Sequence, residues 1–320
     1  MVLQNPGRCI HTDRKPVLKS WRKIVKNYVI YMDASGDIDP AFAAENNIKI
    51  VPMNYTLGDE ELLCSQMESA EVLHKYYEIQ RRGSLTHTSQ ITPGKYISIF
   101  SEELKKGIGV LYISLSSGLT QTYDSACLAA RELAEDYPDV PFCPVNSLAA
   151  TGGMGLLAEA AVLNRNAGMS VEENAQDLRG LADRLCHFFM VDDLMYLKRG
   201  GRIPATTALL GSALNIKPIL TIDPVGKLIS INKKRGVKTA LKELALAYKT
   251  HRDPALEKKY GSRIYIMHGD AEALAVTEAD LIRQYNPDAR IHIMGLSPVI
   301  GAHTGPGMIA VIFYGTRVSG

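Results

Sequence analysis

Hydrophobic residues along this chain fall into short unbroken runs separated by longer amphipathic ones. The runs "YVIYM" (28–32), "IKIVPM" (48–53), "GVLYIS" (109–114) and "PFCPV" (141–145) have the length and composition of strands covered on both faces. Between them, "SAEVLHKYYEIQRRG" places apolar residues at helical spacing behind Ser69 and stops at Gly83. "TPGKYISIFSEELKKG" repeats that order, with Thr92 as cap, Pro93 in the first turn and Gly107 as stop, and "TQTYDSACLAARELAED" is the next helix. Strands joined by helical crossovers pair in parallel, so this half predicts an α/β domain on a parallel sheet.

The pattern changes near residue 180. "CHFFMV", "IKPILTI" and "KLISIN" are strands on short connections, the last two joined through "DPVGK" in hairpin fashion. Two helices, "VKTALKELALAYKTH" and "AEALAVTEADLIRQY", are followed by the strands "RIYIMH" and "ARIHIMG". The expected organisation is a basic extension over 1–26, an α/β domain with a parallel sheet over 27–180, and a second α/β domain with a mixed sheet over 181–320.

The stretch "GLSPVIGAHTGPGMIAVIFYG" (295–315) carries no charged side chain and has the length of a membrane span, about 20 residues. Its five glycines and two prolines argue against that, because backbone facing lipid must satisfy its own hydrogen bonds. The expected division is a short strand or coil, a tight turn at "GAHTGPG" holding His303, and the strand "MIAVIFYG".

With 320 residues, 46% of them hydrophobic and 22% charged, the chain is long enough for two globular domains. A net charge of +2 is too small to make nucleic acid the main partner. Cys9, Cys64, Cys127, Cys143 and Cys186 are odd in number and widely spaced, without a C-x-x-C pair, so reduced thiols and no metal site are expected. Residues 1–26 hold seven Lys/Arg without the apolar core of a signal peptide, which points to cytoplasmic residence. That extension reads as a solvated arm, or as a transient contact for a membrane surface or an acidic partner.

Hydroxyls cluster where the chain enters helices. Thr88 and Ser89 in "LTHTSQITPG", and Ser116, Ser117, Thr120 and Thr122 in "LYISLSSGLTQTYDSA", are explained by capping or by a small anion site at helix N-termini. Gly153, Gly155 and Ala158 fit G-x-G-x-x-A, with Glu172 about 20 residues on as in a dinucleotide fingerprint. That fingerprint turns directly from strand into helix, yet seven residues separate Val145 from Gly153, so the glycines read as a packing face. "DDLMYLKRGGRIP" is a short helix capped by Asp193 and ended by Gly200 and Gly201. Its Lys198, Arg199 and Arg202 either complement the helix C-terminus or form a fork for carboxylate or phosphate. A hydrolase using a turn serine with His303 is a further alternative, without a G-x-S-x-G elbow or an assignable carboxylate.

Taken in order, "YMDASGDID", "THTSQITPGKY", "ISLSSGLTQTYDSA", "VNSLAATGGMGLL", "LMYLKRGGRI", "IKPIL" and "SPVIGAHTGPG" resemble the DegV family of bacterial fatty-acid-binding proteins over about residues 27 to 320. The resemblance implies a two-domain fold that holds a long-chain fatty acid between its domains, with no cofactor. It also implies a non-catalytic carrier that presents the carboxylate to an ATP-dependent fatty acid kinase for acyl-phosphate formation. A lipid-responsive binding protein without a kinase partner would share every binding feature.

The family's T-S-Q-P threonine falls on Thr88, the serine of its L-S-G-T turn on Thr120 and its G-x-H-x-G-P-G histidine on His303. These three are the implied carboxylate ligands. Its R-G-G-R arginines fall on Arg199 and Arg202, which join Ser89, Ser116, Ser117 and Gln121 as candidates for head-group, phosphoryl or kinase contacts. Lys233, Lys234 and Arg235 offer an acidic partner a landing surface. Two departures stand out: Gln121 replaces a glycine, and the family's opening T-D-S becomes Met32, Asp33 and Ala34. Burial of about 16 carbons offers roughly 12 kcal/mol before ordering costs, so a tail can supply the affinity while the head group needs only fixing.

Overall fold

The computed structural model describes residues 27–65, 68–204, 215–261 and 263–318; the 1–26 extension, with Cys9, lies outside them. In chain order the first part contains β1 (Tyr28–Asp33), α1 (Pro40–Glu45), β2 (Ile48–Val51), β3 (Met53–Leu57), β4 (Glu60–Cys64), α2 (Ala70–Arg81), β5 (Thr86–Thr88) and α3 (Pro93–Lys105). It continues with β6 (Gly109–Ser114), α4 (Thr122–Asp136), β7 (Phe142–Asn146), α5 (Gly152–Asn166) and α6 (Val171–Ala182). The rest contains β8 (Leu185–Met190), α7 (Met195–Arg199), β9 (Ile216–Ile222), β10 (Leu228–Arg235), α8 (Val237–His251), α9 (Pro254–Tyr260) and β11 (Arg263–His268). It closes with α10 (Glu272–Arg283), β12 (Arg290–Gly295), α11 (Pro298–Thr304) and β13 (Ile309–Tyr314).

The expected parallel sheet is present, in the order β2-β1-β6-β7. Every residue of β1 and β6 is buried, which is why those segments read as continuous apolar runs. The run "IKIVPM" is divided: β2 ends at Val51, and after Pro52, which has no N–H for a ladder, Met53 opens β3. β3 belongs to a three-stranded antiparallel sheet, β4-β3-β5, absent from the sequence expectation.

The second half forms a six-stranded mixed sheet, β10-β9-β8-β13-β11-β12, in which only β11 and β12 run parallel. Helices α3 and α4 cover one face of the parallel sheet, and α5 and α6 the other. Helix α5 also meets β8, β11 and β13, so it lies between the two large sheets, while α8 and α10 cover the outer face of the mixed sheet. One apolar core therefore runs from the parallel sheet through α5 to the inner face of the mixed sheet. Among the described residues no helix is long and apolar enough to cross a membrane.

The "GAHTGPG" expectation needs correction. His303 sits in the last turn of a helix, α11, which Pro298 starts and Gly305, at φ +72°, ends. Proline suits a first helical turn because its missing N–H has no intrahelical partner there. The strand after the turn is found as β13, buried at every position.

Candidate functional site

Helix α11 is fixed from outside by α2. Tyr76 donates to the Pro298 carbonyl at 3.1 Å, Tyr77 to that of Leu296 at 3.3 Å, and Gln80 Nε2 to that of Gly301 at 3.1 Å. A Cβ at Gly301 would run into the Tyr77 hydroxyl. On the other side, two distant glycine motifs interlock. Gly200 lies against the His303 ring, Gly305 against the Tyr196 ring and Gly307 against the Asp192 carboxylate, each where a Cβ would overlap its neighbour. The "RGGR" and "GAHTGPG" segments are glycine-rich because each makes room for the other's side chains.

This packing sets His303 Nε2 2.8 Å from Thr88 Oγ1, while Nδ1 has no hydrogen-bond partner among the described residues. Burial, then the nearby Arg202, pushes the imidazole pKa down to about 3, so the ring is neutral at physiological pH. Thr88 and His303 line a cavity of about 460 Å³, a volume suited to a small ligand. Its exposed lining residues, Ser89, Gln90 and Gln121, are all polar. Its buried lining is mostly apolar, including Leu115, Phe189, Ile222, Val299 and Met308. The cavity thus has a polar mouth and an apolar interior.

Of the sequence candidates, Thr88, Ser89, Thr120, Gln121, Arg202 and His303 line this one cavity, although they come from four segments of the chain. Thr120 Oγ1 lies 3.0 Å from Thr122 Oγ1 and accepts from the Thr122 N–H at 3.3 Å. Arg202 donates through Nε to the Leu119 carbonyl at 3.2 Å and through Nη1 to that of Gly200, joining the mouth loop to the glycine turn.

Ser116, Ser117 and Arg199 lie outside the lining. The buried Ser116 hydroxyl donates to the Gly226 carbonyl at 2.8 Å, which holds the β9–β10 hairpin against the mouth loop. Ser117 accepts from the Asn146 amide at 2.7 Å. Arg199 is exposed, with its guanidinium 4.7 Å over the Tyr196 ring and Nε on the Met195 carbonyl. Lys233, Lys234 and Arg235 lie on β10, where Lys234 already pairs with Glu243 at 3.0 Å.

The expected cap of α7 shifts by one residue: Leu194 holds the N-cap position without a side-chain capping bond, and Asp193, just before it, accepts from the Met195 N–H at 2.8 Å. The glycines of the apparent nucleotide fingerprint lie on α5: a Cβ at Gly153 would overlap His187, and one at Gly155 the Asp37 carbonyl. They meet protein, as a packing face does.

Sequence reasoning missed His187, which lines the cavity fully buried, with Nε2 3.3 Å from the Ala150 carbonyl and a pKa lowered by burial to about 3. It also missed Asp37, which accepts from the Thr151 hydroxyl and from the Ser297 N–H at 3.2 Å. Asp37 thereby ties the starts of α5 and α11 together, and burial raises its pKa to about 7. Among the described residues no cluster of His, Cys, Asp and Glu is arranged to hold a metal ion.

A parallel and a mixed sheet around a shared helix, with an apolar cavity and a hydroxyl-lined mouth, define an α/β protein built to enclose a mostly apolar molecule. The chain belongs to the DegV family, whose profile, described as "Uncharacterised protein, DegV family", matches residues 27–316. It is 35% identical over 295 residues to a DegV domain-containing protein of Clostridium perfringens, covering 91% of this chain and 98% of the relative. A solved structure from Thermus thermophilus, described as fatty acid binding of a DegV family protein, is 25% identical with a TM-score of 0.77, covering 90% of this chain and 99% of that one. A DegV lipid-binding protein of Thermotoga maritima is 26% identical with a TM-score of 0.74, covering 90% and 98%.

Proposed function

We propose that this chain binds a long-chain fatty acid in the cavity, with the tail in the apolar interior and the carboxylate at the mouth. The observation that carries this reading is the Thr88–His303 pair, 2.8 Å apart, in a cavity whose lining is mostly apolar. Neutral hydroxyl donors suit a carboxylate whose binding energy comes from its tail. The Thermus and Thermotoga relatives, described as fatty-acid and lipid binding, support it. In this reading residues 27–180 and 181–320 act as two domains with the ligand between them.

The acid is then presented, in the cytoplasm, to an ATP-dependent fatty acid kinase. Arg202, at the mouth, faces the acyl phosphate as it forms, and the exposed Arg199 contributes to kinase docking. A serine–histidine hydrolase has less support: Ser116 and Ser117 are engaged away from the cavity, Ser89 lines it but His303 Nε2 is held by Thr88 instead, and among the described residues His303 Nδ1 has no carboxylate to orient it.

Native mass spectrometry of the purified protein tests the lipid reading. The expected result is a bound mass of one long-chain acid, released by denaturation and restored by adding such an acid to delipidated protein. Failure of delipidated protein to take up any acid of about 14 to 18 carbons would overturn it. Phosphorylation of the bound acid by a fatty acid kinase with ATP, slowed in Arg202→Ala at full lipid loading, tests the presentation step.

A further inference from the structure

Gln121 is exposed and yet lines the cavity, so the residue stands at the mouth. It occupies the N-cap of α4, where a short polar side chain ordinarily accepts from the first backbone N–H groups. That task is carried out one residue earlier, by Thr120 Oγ1, which accepts from the Thr122 N–H. Gln121 makes no capping bond, and its carboxamide has no hydrogen bond among the described residues. Its backbone, at φ −88° and ψ 10°, calls for no particular residue type. A long polar side chain without a structural task therefore stands beside Thr120, with two N–H donors and one carbonyl unused.

The neighbours of that carboxamide determine what it can do. Two Arg202 donors are committed to the Leu119 and Gly200 carbonyls, and His303 is neutral and turned to Thr88. A carboxylate accepts about four hydrogen bonds, and the Thr88 and Thr120 hydroxyls supply two. The Gln121 amide is suited to donate to the oxygen on the solvent side. A neutral ester offers no anionic oxygen to accept that bond, and its alkoxy group lengthens the head group toward the mouth, where Gln121 stands.

We propose that Gln121 is the specificity-determining residue of the mouth, admitting a free carboxylate and rejecting neutral esters, glycerides among them. This rests on the lipid reading of the cavity. The test compares delipidated unaltered protein with Gln121→Gly and Gln121→Glu, titrated with palmitic acid, methyl palmitate and 1-monopalmitoylglycerol in competition with a fluorescent fatty acid. Gln121→Gly is expected to lower the acid-to-ester affinity ratio by about tenfold or more, through tighter ester binding and loss of a charge-assisted hydrogen bond. Gln121→Glu, similar in size but acidic, is expected to weaken acid binding by about tenfold or more. An unchanged ratio in Gln121→Gly, in protein that binds the acid, overturns this proposal alone. Absence of acid binding in the unaltered protein overturns the lipid reading and this proposal with it.

Discussion

Thr88 and His303 behave as one group. The neutral ring carries a single proton, and the nitrogen within reach of Thr88 is Nε2. With the proton there, His303 donates to the Thr88 oxygen and leaves the Thr88 hydroxyl hydrogen free to turn toward the cavity. In the proposed lipid reading Thr88 is then the donor to the carboxylate, and His303 orients it from behind. Thr88→Val keeps the shape and removes the donor, so acid affinity measured by calorimetry should fall by roughly 0.5 to 3 kcal/mol, and the melting temperature should fall as well, because the buried His303 N–H loses its acceptor. Both residues were legible as candidates from their motifs. The α2 side chains that position them were not, because Tyr76, Tyr77 and Gln80 look like any buried face of an amphipathic helix.

At the scale of elements, α5 shows how a glycine pattern acquires its meaning. Gly155 sits where a Cβ would overlap the Asp37 carbonyl, while nothing lies within 4 Å of a Cβ built on Gly180 of α6. Alanine gains about 0.5 to 1 kcal/mol over glycine in a helix interior, and overpacking typically costs about 1 to 3 kcal/mol. Urea unfolding should therefore show Gly180→Ala stabilised by a few tenths to about 1 kcal/mol, and Gly155→Ala destabilised by about 1 to 2 kcal/mol. Helices α2 and α3, with their Ser69 and Thr92 caps, and the fully buried strands were readable beforehand, whereas α6, with its Ser170–Glu173 capping box, was not read. The sheet β4-β3-β5 was not: its strands are three to five residues long and partly exposed, too short for a period to register.

Across the whole molecule, one buried charge stands apart from the site. Glu278 on α10 is fully buried, both carboxyl oxygens lack a hydrogen-bond partner among the described residues, and burial raises its pKa from 4.5 to about 9. The folded protein keeps a proton that the unfolded chain releases above pH 4.5, so this contribution to stability is complete below that pH and is lost as pH rises toward 9. Glu278→Gln removes the titration. Chemical denaturation should find it close to the unaltered protein near pH 4.5 and more stable by roughly 3 to 5 kcal/mol at about pH 8. A gap that stays constant with pH would show that Glu278 is ionised in the fold.

The strands of the parallel sheet, the long helices between them and the identity of the glycine-bounded motifs follow from the sequence alone. They rest on local quantities: periodicity, caps and residues that permit a turn. Which hydroxyl faces the cavity does not. Ser116 and Thr120 lie four residues apart in one loop, but the Gly226 carbonyl, 110 residues away, engages Ser116 and leaves Thr120 at the cavity. Arg199 and Arg202 are separated in the same way, one stacked on Tyr196 and the other turned to the Leu119 carbonyl. Hydrophobic pattern records that a face is buried and not what it is buried against, so the lining of the cavity was decided only when α2, α11 and the β9–β10 hairpin closed around it.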